Sequence, residues 1–330
     1  MNEASSDYIP IQSLDIEGER AITFDLFLNL PLNNKVILYR KKGGAVENQR
    51  LARLVGDNLQ TFWIRKGDYQ EFVKYVAQRL RSLVEHPNPF MARKMMVSSA
   101  KAILGSTFHA QDSAMAQALM GNLNEITSVL IESVLENVSP VRKKAFKRLI
   151  EMAESGSDFH KHPVNVTSLA VLITYGIGYS TDKILSEVAM GALLHDIGLA
   201  KVPAKIAAAA HDVLLLPVDE RAQLYKHGDH GLEILQERGV QISEIMKAII
   251  SQHHEQFNGN GYPLGLRGFV VNEFAQIVRV ADDLDQLLRS EVRDAESLRK
   301  DLIQLFAKLH DEKILEPGLA ARIRKLFVEF

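Results

Sequence analysis

The chain has 330 residues, of which 46% are hydrophobic and 24% are charged, and its formal net charge is −2. These values are typical of a soluble globular protein with two domains, and they give no general attraction to nucleic acid or to an anionic membrane. The absence of cysteine excludes disulfides, cysteine zinc sites and thiol nucleophiles. Any metal ion would therefore need nitrogen and oxygen ligands.

The beginning of the chain, MNEASSDYIPIQ, is polar and acidic and lacks the basic and apolar regions of a signal peptide. No apolar run approaches the roughly 20 residues that are needed to span a bilayer. We therefore expect a cytoplasmic protein that has no membrane span and binds no nucleic-acid polymer.

Residues 1–137 are predicted to form an α+β domain. Runs rich in β-branched and aromatic residues predict strands at 21–30, 34–42 and 58–68. Apolar residues at helical spacing predict helices at 68–84, near 91–104 and at 112–136. Since no group of residues there suggests catalysis, we interpret this domain as a regulatory or interaction module.

Residues 138–155 are predicted to form a connecting helix, because Ser139 is a suitable cap and Pro140 suits a first helical position. The remainder, 156–330, is predicted to be an all-α domain. Its apolar residues recur at helical spacing in six stretches, at 163–177, 182–194, 243–252, 273–288, 296–309 and 318–328.

An apolar segment of this second domain, VAMGALL, runs directly into His195 and Asp196. A polar pair at the end of a buried helix needs partners, which either a metal ion or a hydrogen-bonded helix end could supply. The other His-Asp pairs, at 211–212 and 310–311, have no other ligand types nearby. We interpret those two pairs as solvated helix ends.

The segment SQHHEQFNGNGYPLG, residues 251–265, places His253 and His254 before a glycine-rich turn. This pattern fits a metal site beside a substrate loop, or a polar helix end before a surface turn. Asp282 also lies among apolar residues, in QIVRVADDLDQLL. Burying ionisable groups from so many separate segments would be costly without a cation, which favours a metal site.

The order of these motifs resembles that of the HD-GYP family, a branch of the HD superfamily of metal-dependent phosphohydrolases. The resemblance covers roughly residues 150–325, and HHE followed by GNGYP is its most specific part. The matching segments are HPVNVTSLAV (162–171), LLHDIG (193–198), HGDHGLEIL (227–235), IISQHHEQFNGNGYPLGLRG (249–268) and IVRVADDLD (277–285).

The resemblance implies a helical bundle that binds two divalent metal ions, with iron or manganese expected. One ion would be bound by His162, His195, Asp196 and Asp282. The second ion would be bound by His227, His253 and His254, with Asp196 bridging the two ions. Mixed imidazole and carboxylate ligands would also suit nickel or zinc.

The substrate implied by the resemblance is cyclic di-GMP, opened to linear pGpG and in some members further to GMP. A hydroxide bridging the two ions would attack the phosphate, with Asp196 and Lys201 as catalytic residues. Gly259 and Gly261 would let the loop approach the ligand, and Tyr262 would offer an aromatic face and a hydroxyl. The substrate-binding residues would be Lys201, Asn258, Gly259, Gly261, Tyr262, Pro263 and Arg267.

The sequence differs from the family pattern at several positions. Leu199 stands where a lysine usually follows HDIG, so Lys201 would have to replace it, and Asn258 stands in place of aspartate. An Arg-Pro-Tyr stretch is missing after Asp285, and Asp158 replaces a glutamate of three-metal members, which favours two ions.

These differences leave two alternatives open. The first is a degenerate HD-GYP protein that binds metal and cyclic di-GMP and signals through protein contacts, by its N-terminal domain or its GYP loop, without turnover. The second is a phosphohydrolase for a different nucleotide. Three neighbouring residues also have open roles: His160 and His230 either support ligands or lie at the surface, and Glu255 either orients a ligand histidine or ends a helix in solvent.

Overall fold

The computed structural model describes residues 7–30, 35–56, 61–84, 113–135, 162–210, 213–289 and 294–328. The chain divides into two units, Met1–Ile126 and Thr127–Phe330. The predicted helix near 91–104, the predicted connecting helix at 138–155 and the 211–212 pair lie outside the described residues. Within the described ranges, no helix combines the length and apolar character needed to cross a membrane.

The first unit contains an antiparallel sheet of four strands in the order β1-β4-β2-β3. The strands are β1 (Tyr8–Gln12), β2 (Leu26–Leu30), β3 (Lys35–Arg40) and β4 (Thr61–Arg65). Helix α1 (Asn48–Gly56) precedes β4, and helix α2 (Tyr69–Val84) follows it. The predicted α+β class is confirmed, although β1 and α1 were not among the predicted elements.

Aromatic side chains form much of the core of this unit. Phe24 meets Phe72 and Tyr75 of α2 edge to face, with ring centroids 5.5 Å apart in both pairs. All three side chains are buried. Such edge-to-face pairs add to the stabilisation from apolar burial, so they fix α2 against the residues that lead into β2.

Helix α3 (Ser113–Leu135) spans the point at which the chain divides. Its residues 127–135 group with the second unit, where Val134 is buried in the helical core. The sequence placed all of α3 in the N-terminal domain, residues 1–137, but its last turns pack with the helical unit.

Helices joined by turns and loops make up the described residues of the second unit. Its helices are α4 (His162–Gly176), α5 (Asp182–Leu194), α6 (Ala204–Ala207), α7 (Val218–Leu224), α8 (His227–Glu237), α9 (Glu244–Gln252), α10 (Glu273–Arg289), α11 (Ala295–Asp311) and α12 (Pro317–Phe327). Six of them, α4, α5 and α9 to α12, coincide with the six predicted stretches to within two residues at each end. The prediction of an all-α second domain is confirmed.

Helix α4 lies at the centre of this unit and packs against α5, α10 and α12. Val166, Leu169 and Ile173 are fully buried, and the residues between them are buried as well, with at most 7% exposure at Ser168. A helix that is apolar on all sides is typical of a core position. Its first residue, His162, is consequently held in a buried environment.

The segment after α5 turns back onto the start of α8. It forms a short 3-10 helix, Ile197–Lys201, that packs against α8. A Cβ atom on Gly198 would overlap the carbonyl oxygen of His227, so only glycine allows this approach. The close backbone contact brings the end of α5 and the beginning of α8 next to each other.

Candidate metal centre

Four helix ends and one helix interior supply the seven predicted ligand residues. His162 and His227 are the first residues of α4 and α8. The pair His195-Asp196 directly follows α5, and the pair His253-His254 directly follows α9. The seven side chains come together in two groups, in each of which the candidate ligand atoms lie within 4.8 Å of one another. The groups are His162, His195 and Asp282, and Asp196, His227, His253 and His254.

The carboxylate of Asp196 lies between the two groups. Its Oδ2 atom is 3.5 Å from Nε2 of His162 and 3.5 Å from Nε2 of His195. Its Oδ1 atom is 3.3 Å from Nε2 of His227 and 3.6 Å from Nε2 of His253. Each carboxylate oxygen therefore faces a different group, as a bridging ligand requires.

Four of the five histidines are oriented by hydrogen bonds at Nδ1. The acceptors are Asp285 Oδ2 for His162 (2.8 Å), Ala192 O for His195 (2.6 Å), Leu224 O for His227 (2.8 Å) and Ile250 O for His253 (3.0 Å). Carboxylate and carbonyl oxygens only accept, so each Nδ1 carries the hydrogen. In the neutral ring, the lone pair then lies on Nε2 and is directed into the cluster.

The pKa values at the centre reflect burial and dense charge. Burial lowers the pKa of His195 to about 4 and also lowers the pKa values of His253 and His254. Burial acts in the same direction on His162, but the carboxylates of Asp196 and Asp285 outweigh it and raise that pKa to about 10. Burial tends to raise the pKa of Asp196, but the imidazoles around it, His195 first, hold it well below its usual range. The carboxylates of Asp196 and Asp285 therefore favour a positive charge among the candidate ligands.

The residues fit a pair of metal ions. Ions about 2.0 to 2.2 Å from nitrogen and oxygen ligands place neighbouring ligand atoms roughly 3 to 3.6 Å apart. The Nε2 atoms of His227 and His253 are 3.1 Å apart with both lone pairs turned inward, an arrangement that a cation would stabilise. His195 Nε2 and Asp282 Oδ1 are buried and have no hydrogen-bond partner among the described residues.

Two positioning residues had no assigned role in the sequence. Asp285 is fully buried and accepts hydrogen bonds from His162 Nδ1 (2.8 Å) and from Asn165 Nδ2 (2.7 Å). Asp285 follows Asp282 by three residues, and Asn165 follows His162 by three. Residues at that spacing share a helix face, and this spacing was the available signal for both.

The loop after α9 is closed by Glu255, a residue that is only 1% exposed. Its two carboxylate oxygens accept hydrogen bonds from the backbone N–H groups of Leu264 (2.7 Å) and Leu266 (2.8 Å). Glu255 thus neither orients a ligand histidine nor ends a helix in solvent. Its partners are nine and eleven residues further along the chain, which is why a local pattern could not reveal them.

The same loop is anchored to the connection between α11 and α12. The backbone N–H of Phe257 donates to Ile314 O (2.8 Å), and Asn258 Nδ2 donates to Glu312 O (2.8 Å). Asn258 Oδ1 accepts from the N–H of Asn260 (2.8 Å). Both ends of the Asn258 side chain are therefore engaged within the protein, which argues against its predicted contact with substrate.

The two loop glycines serve the loop itself. Gly259 has a φ of +87°, a conformation that glycine adopts without strain. A Cβ atom on Gly261 would overlap the backbone of Glu255 and Gln256. Gly261 is thus required by a close approach to the chain's own backbone, and its predicted role toward a ligand stays a prediction.

Tyr262 is placed at the cluster with its ring covered. Its ring stacks on Tyr225, with centroids 3.9 Å apart, and on His254, with centroids 4.6 Å apart. Two rings so close to a third cannot share one face, so Tyr262 lies between them. The predicted aromatic face is therefore occupied, while the hydroxyl makes no hydrogen bond within the described part of the chain.

Pro263 follows Tyr262 through a cis peptide bond. Arg267 is exposed, and its guanidinium forms no ion pair with any described residue. His230 belongs to neither group of candidate ligands. His160 and Asp158 lie outside the described residues.

Lys201 is not brought to the cluster. Its ammonium group binds the carboxylates of Glu233 (3.1 Å) and Glu237 (2.8 Å) on α8. These residues are six and ten positions beyond His227, about 9 and 15 Å along the helix axis. The predicted contact between Lys201 and substrate is therefore not supported by its position.

Leu199 stands where the family usually carries lysine. Its side chain packs against a small apolar cluster formed by Val202, Ile206, Leu216 and Leu224. Position 199 thus contributes to packing in this chain. The ammonium group that lysine would provide there is missing, and the Lys201 ammonium group does not replace it at the candidate metal centre.

Comparison with known sequences agrees with this geometry. The family model described as "HD domain" matches residues 145–314, slightly more than half of the chain. The chain belongs to the HD domain family. The HD family is metal-dependent, and the two groups of ligands in this member could hold metal ions.

Curated relatives of this HD protein include a Thermotoga maritima protein named cyclic di-GMP phosphodiesterase, 22% identical over 96% of this chain and 86% of its own length. A Xanthomonas campestris protein named cyclic di-GMP phosphodiesterase response regulator RpfG is 29% identical over 63% of this chain and 52% of its own. A Vibrio cholerae 3'3'-cGAMP-specific phosphodiesterase 2 is 27% identical over 60% of this chain and 35% of its own. The chain thus spans about half of the Xanthomonas relative and about a third of the Vibrio relative.

A solved structure, described as Bd1817, a HDG"Y"P protein from Bdellovibrio bacteriovorus, shares the fold. It matches 97% of this chain and 99% of its own, with a TM-score of 0.62 and 19% identity. Together with the family match and the named relatives, it confirms the predicted resemblance to HD-GYP proteins.

Proposed function

We propose that the helical domain is a dinuclear metal-dependent phosphodiesterase that hydrolyses cyclic di-GMP to linear pGpG. The observation that carries this proposal is the position of Asp196, with one carboxylate oxygen toward each group of ligands. Relatives named as cyclic di-GMP phosphodiesterases support the choice of substrate.

The two groups would each hold one ion, with iron or manganese expected. His162, His195 and Asp282 would hold the first, His227, His253 and His254 the second, and Asp196 would bind both. When bound, two divalent cations would acidify a water molecule between them and offset charge on the phosphate oxygens.

The protein's own groups would orient the ligands and the substrate. Asp285 and the three backbone carbonyls hold four imidazoles with Nε2 inward, so little reorganisation would accompany binding. Burial, together with the charges of Asp196 and Asp282, raises the pKa of Tyr262. Its hydroxyl therefore keeps its proton at neutral pH and could donate a hydrogen bond to a phosphate oxygen.

Arg267 is the remaining predicted substrate residue with a charged group open to a ligand. It lies exposed on the same loop and would meet a phosphate group through its guanidinium. The sheet-containing N-terminal domain would serve as a regulatory or interaction module, since no group of candidate metal ligands was found among its described residues.

A direct test combines metal analysis with product analysis on one sample. Protein purified without oxygen should contain about two metal ions per chain and should convert cyclic di-GMP to the linear dinucleotide. A metal content well below one per chain would remove the basis for catalysis. Product formation that persists after complete chelation would also contradict the proposal.

A second candidate is a degenerate member that binds cyclic di-GMP and signals without turnover. Three observations favour it, because Lys201 is bound by two glutamates, Leu199 packs in an apolar cluster and Asn258 is engaged within the loop. A binding titration run beside the hydrolysis assay separates the two candidates. Tight binding by metal-loaded protein without product would support the degenerate member.

The substrate could also be a related cyclic dinucleotide. The Vibrio cholerae relative named for 3'3'-cGAMP provides the reason to compare substrates. Hydrolysis of cyclic di-GMP, 3'3'-cGAMP and cyclic mononucleotides at equal concentration would rank them by kcat/KM. A higher kcat/KM for another nucleotide than for cyclic di-GMP would replace the proposed substrate.

A further inference from the structure

One of the five candidate histidine ligands is held differently from the others. His162, His195, His227 and His253 each donate Nδ1–H to an oxygen, whereas the His254 ring makes no hydrogen bond with any described residue. A ligand imidazole ordinarily needs a partner that fixes its plane. Some other contact must therefore orient His254.

That contact is aromatic. The His254 ring stacks on Tyr262, with centroids 4.6 Å apart and an interplanar angle of 23°. Its ring centroid also lies 4.1 Å from that of His253 and 5.1 Å from that of His227. Rotation of His254 out of its plane would drive its edge into the Tyr262 ring, so stacking restricts this side chain as a hydrogen bond restricts the others.

Tyr262 is itself supported on its opposite face by Tyr225. Their centroids are 3.9 Å apart and their planes differ by 15°. Tyr225 directly follows α7, and its backbone N–H donates to Arg221 O (2.9 Å). Only Lys226 separates Tyr225 from His227. One short segment thus supplies a candidate ligand and also the base of the stack that orients another.

The backbone of the stacked residues is fixed as well. The N–H of Tyr262 donates to His254 O (3.2 Å), and Arg279 Nη1 donates to the same oxygen (3.3 Å). The two stacked rings consequently move together with the turn that carries His254.

We propose that Tyr225 and the ring of Tyr262 are positioning residues that fix the ring plane of His254 for binding the ion held by Asp196, His227, His253 and His254. This inference rests on the metal centre of the proposed function. It assigns the GYP tyrosine two separable tasks, with its ring orienting a ligand and its hydroxyl facing the substrate. A nucleobase would then have to stack elsewhere, because both faces of the Tyr262 ring are covered.

The test measures ion binding rather than turnover. Full-length metal-free protein is titrated with Mn2+, free Mn2+ is followed by electron paramagnetic resonance, and bound metal is counted by elemental analysis. Tyr225→Leu removes the flat ring but keeps apolar bulk, Tyr225→Phe and Tyr262→Phe keep stacking, and Gln223→Ala changes an exposed residue of α7 as the control.

We expect Tyr225→Leu to lower the affinity for one of the two Mn2+ ions by about 10-fold and to leave the affinity for the other unchanged. Tyr225→Phe, Tyr262→Phe and Gln223→Ala should bind both ions as the unmodified protein does. Rescue by phenylalanine distinguishes stacking from any role of the hydroxyl groups. Thermal unfolding of each variant checks the fold, and Tyr262→Leu provides the same test if Tyr225→Leu does not fold.

Three outcomes would overturn the inference. Unchanged affinity for both ions in Tyr225→Leu would show that the stack does not orient a ligand, and the proposed function would remain. An equal loss of affinity for both ions would indicate general damage to the fold rather than loss of a residue that positions His254. Binding of fewer than two ions by the unmodified protein would overturn the inference and the dinuclear proposal together.

Discussion

The helix-end side and the loop side of the candidate centre are organised in opposite ways. On the helix-end side, Nε2 atoms and carboxylate oxygens of the candidate ligands converge, with His227 Nε2 and His253 Nε2 3.1 Å apart and His162 Nε2 3.5 Å from Asp196 and 3.7 Å from Asp282. On the loop side, Glu255 and Asn258 use their polar atoms to hold the loop itself. On the first side, nitrogen and oxygen atoms are arranged so that they could bind metal ions. On the second side, the polar atoms of Glu255 and Asn258 are used in hydrogen bonds that hold the loop. Changes on the two sides should therefore have different effects.

The largest effect is expected for Asp196→Asn, because this carboxylate faces both groups of ligands. An amide is neutral and offers one oxygen, so it could not bridge two cations. We expect bound metal to fall from about two ions to less than one per chain and hydrolysis to be lost. Elemental analysis and product detection on one sample measure both.

The matched control for this change is Asp229→Asn. Asp229 is an exposed acid two residues after His227 and belongs to neither group. It should keep both ions. Retention of two ions by Asp196→Asn would mean that the groups bind independently and that no carboxylate bridges them.

A smaller and one-sided effect is expected for Asp285→Asn. The amide has one oxygen acceptor, which could serve His162 or Asn165 but not both. We expect the ion at the His162 group to bind about 10-fold more weakly and the other ion to be unaffected. A two-step Mn2+ titration measures this, with the exposed Asp311→Asn as control. Equal weakening at both groups would contradict a local role for Asp285.

On the loop side, Glu255→Gln should change stability while leaving metal content unchanged. The amide nitrogen cannot accept a hydrogen bond, so the N–H of Leu264 or of Leu266 would lose its partner. We expect the free energy of unfolding to fall by about 1 to 3 kcal/mol, measured by denaturant titration. Exposed Glu244→Gln is the control. Loss of metal from Glu255→Gln would show that the two sides are not separable.

The smallest effect is expected for Lys201→Ala. Its ammonium group is bound to two exposed glutamates on α8, and such surface pairs contribute little. Ion binding and kcat should show no measurable change in steady-state assays. A large fall in kcat would place the Lys201 ammonium at the substrate after all and would return it to the catalytic residues.

The contrast between the two sides also marks what sequence could predict. The candidate ligands lie at helix ends and in one apolar helix, so motif order indicated each of them and apolar spacing located most of the helices. Asp285 was within reach through its three-residue spacing from Asp282. By contrast, the roles of Glu255 and Tyr225 arise from contacts with residues 9 to 37 positions away along the chain.

The elements missed in the first unit have a similar explanation. Strand β1 contains Pro10 and is an edge strand that pairs with β4, from Tyr8 opposite Arg65 to Gln12 opposite Thr61, about fifty residues away. Helix α1, NQRLARLVG, has apolar residues at helical spacing but is only nine residues long, which is shorter than the window in which such spacing distinguishes a helix. Strand β1 forms because of a tertiary pairing that no local window contains.

The anchoring of the loop to the α11–α12 connection determines where the protein could be shortened. The family match ends at residue 314, just where Phe257 and Asn258 find their backbone partners. A fragment cut at that point would lack Ile323, Leu326 and Phe327, which are buried in the helical core. The connection would then have no helix behind it to hold its carbonyl groups in place. An expressible fragment of the helical domain must therefore continue through α12, beyond the boundary that family similarity alone would suggest.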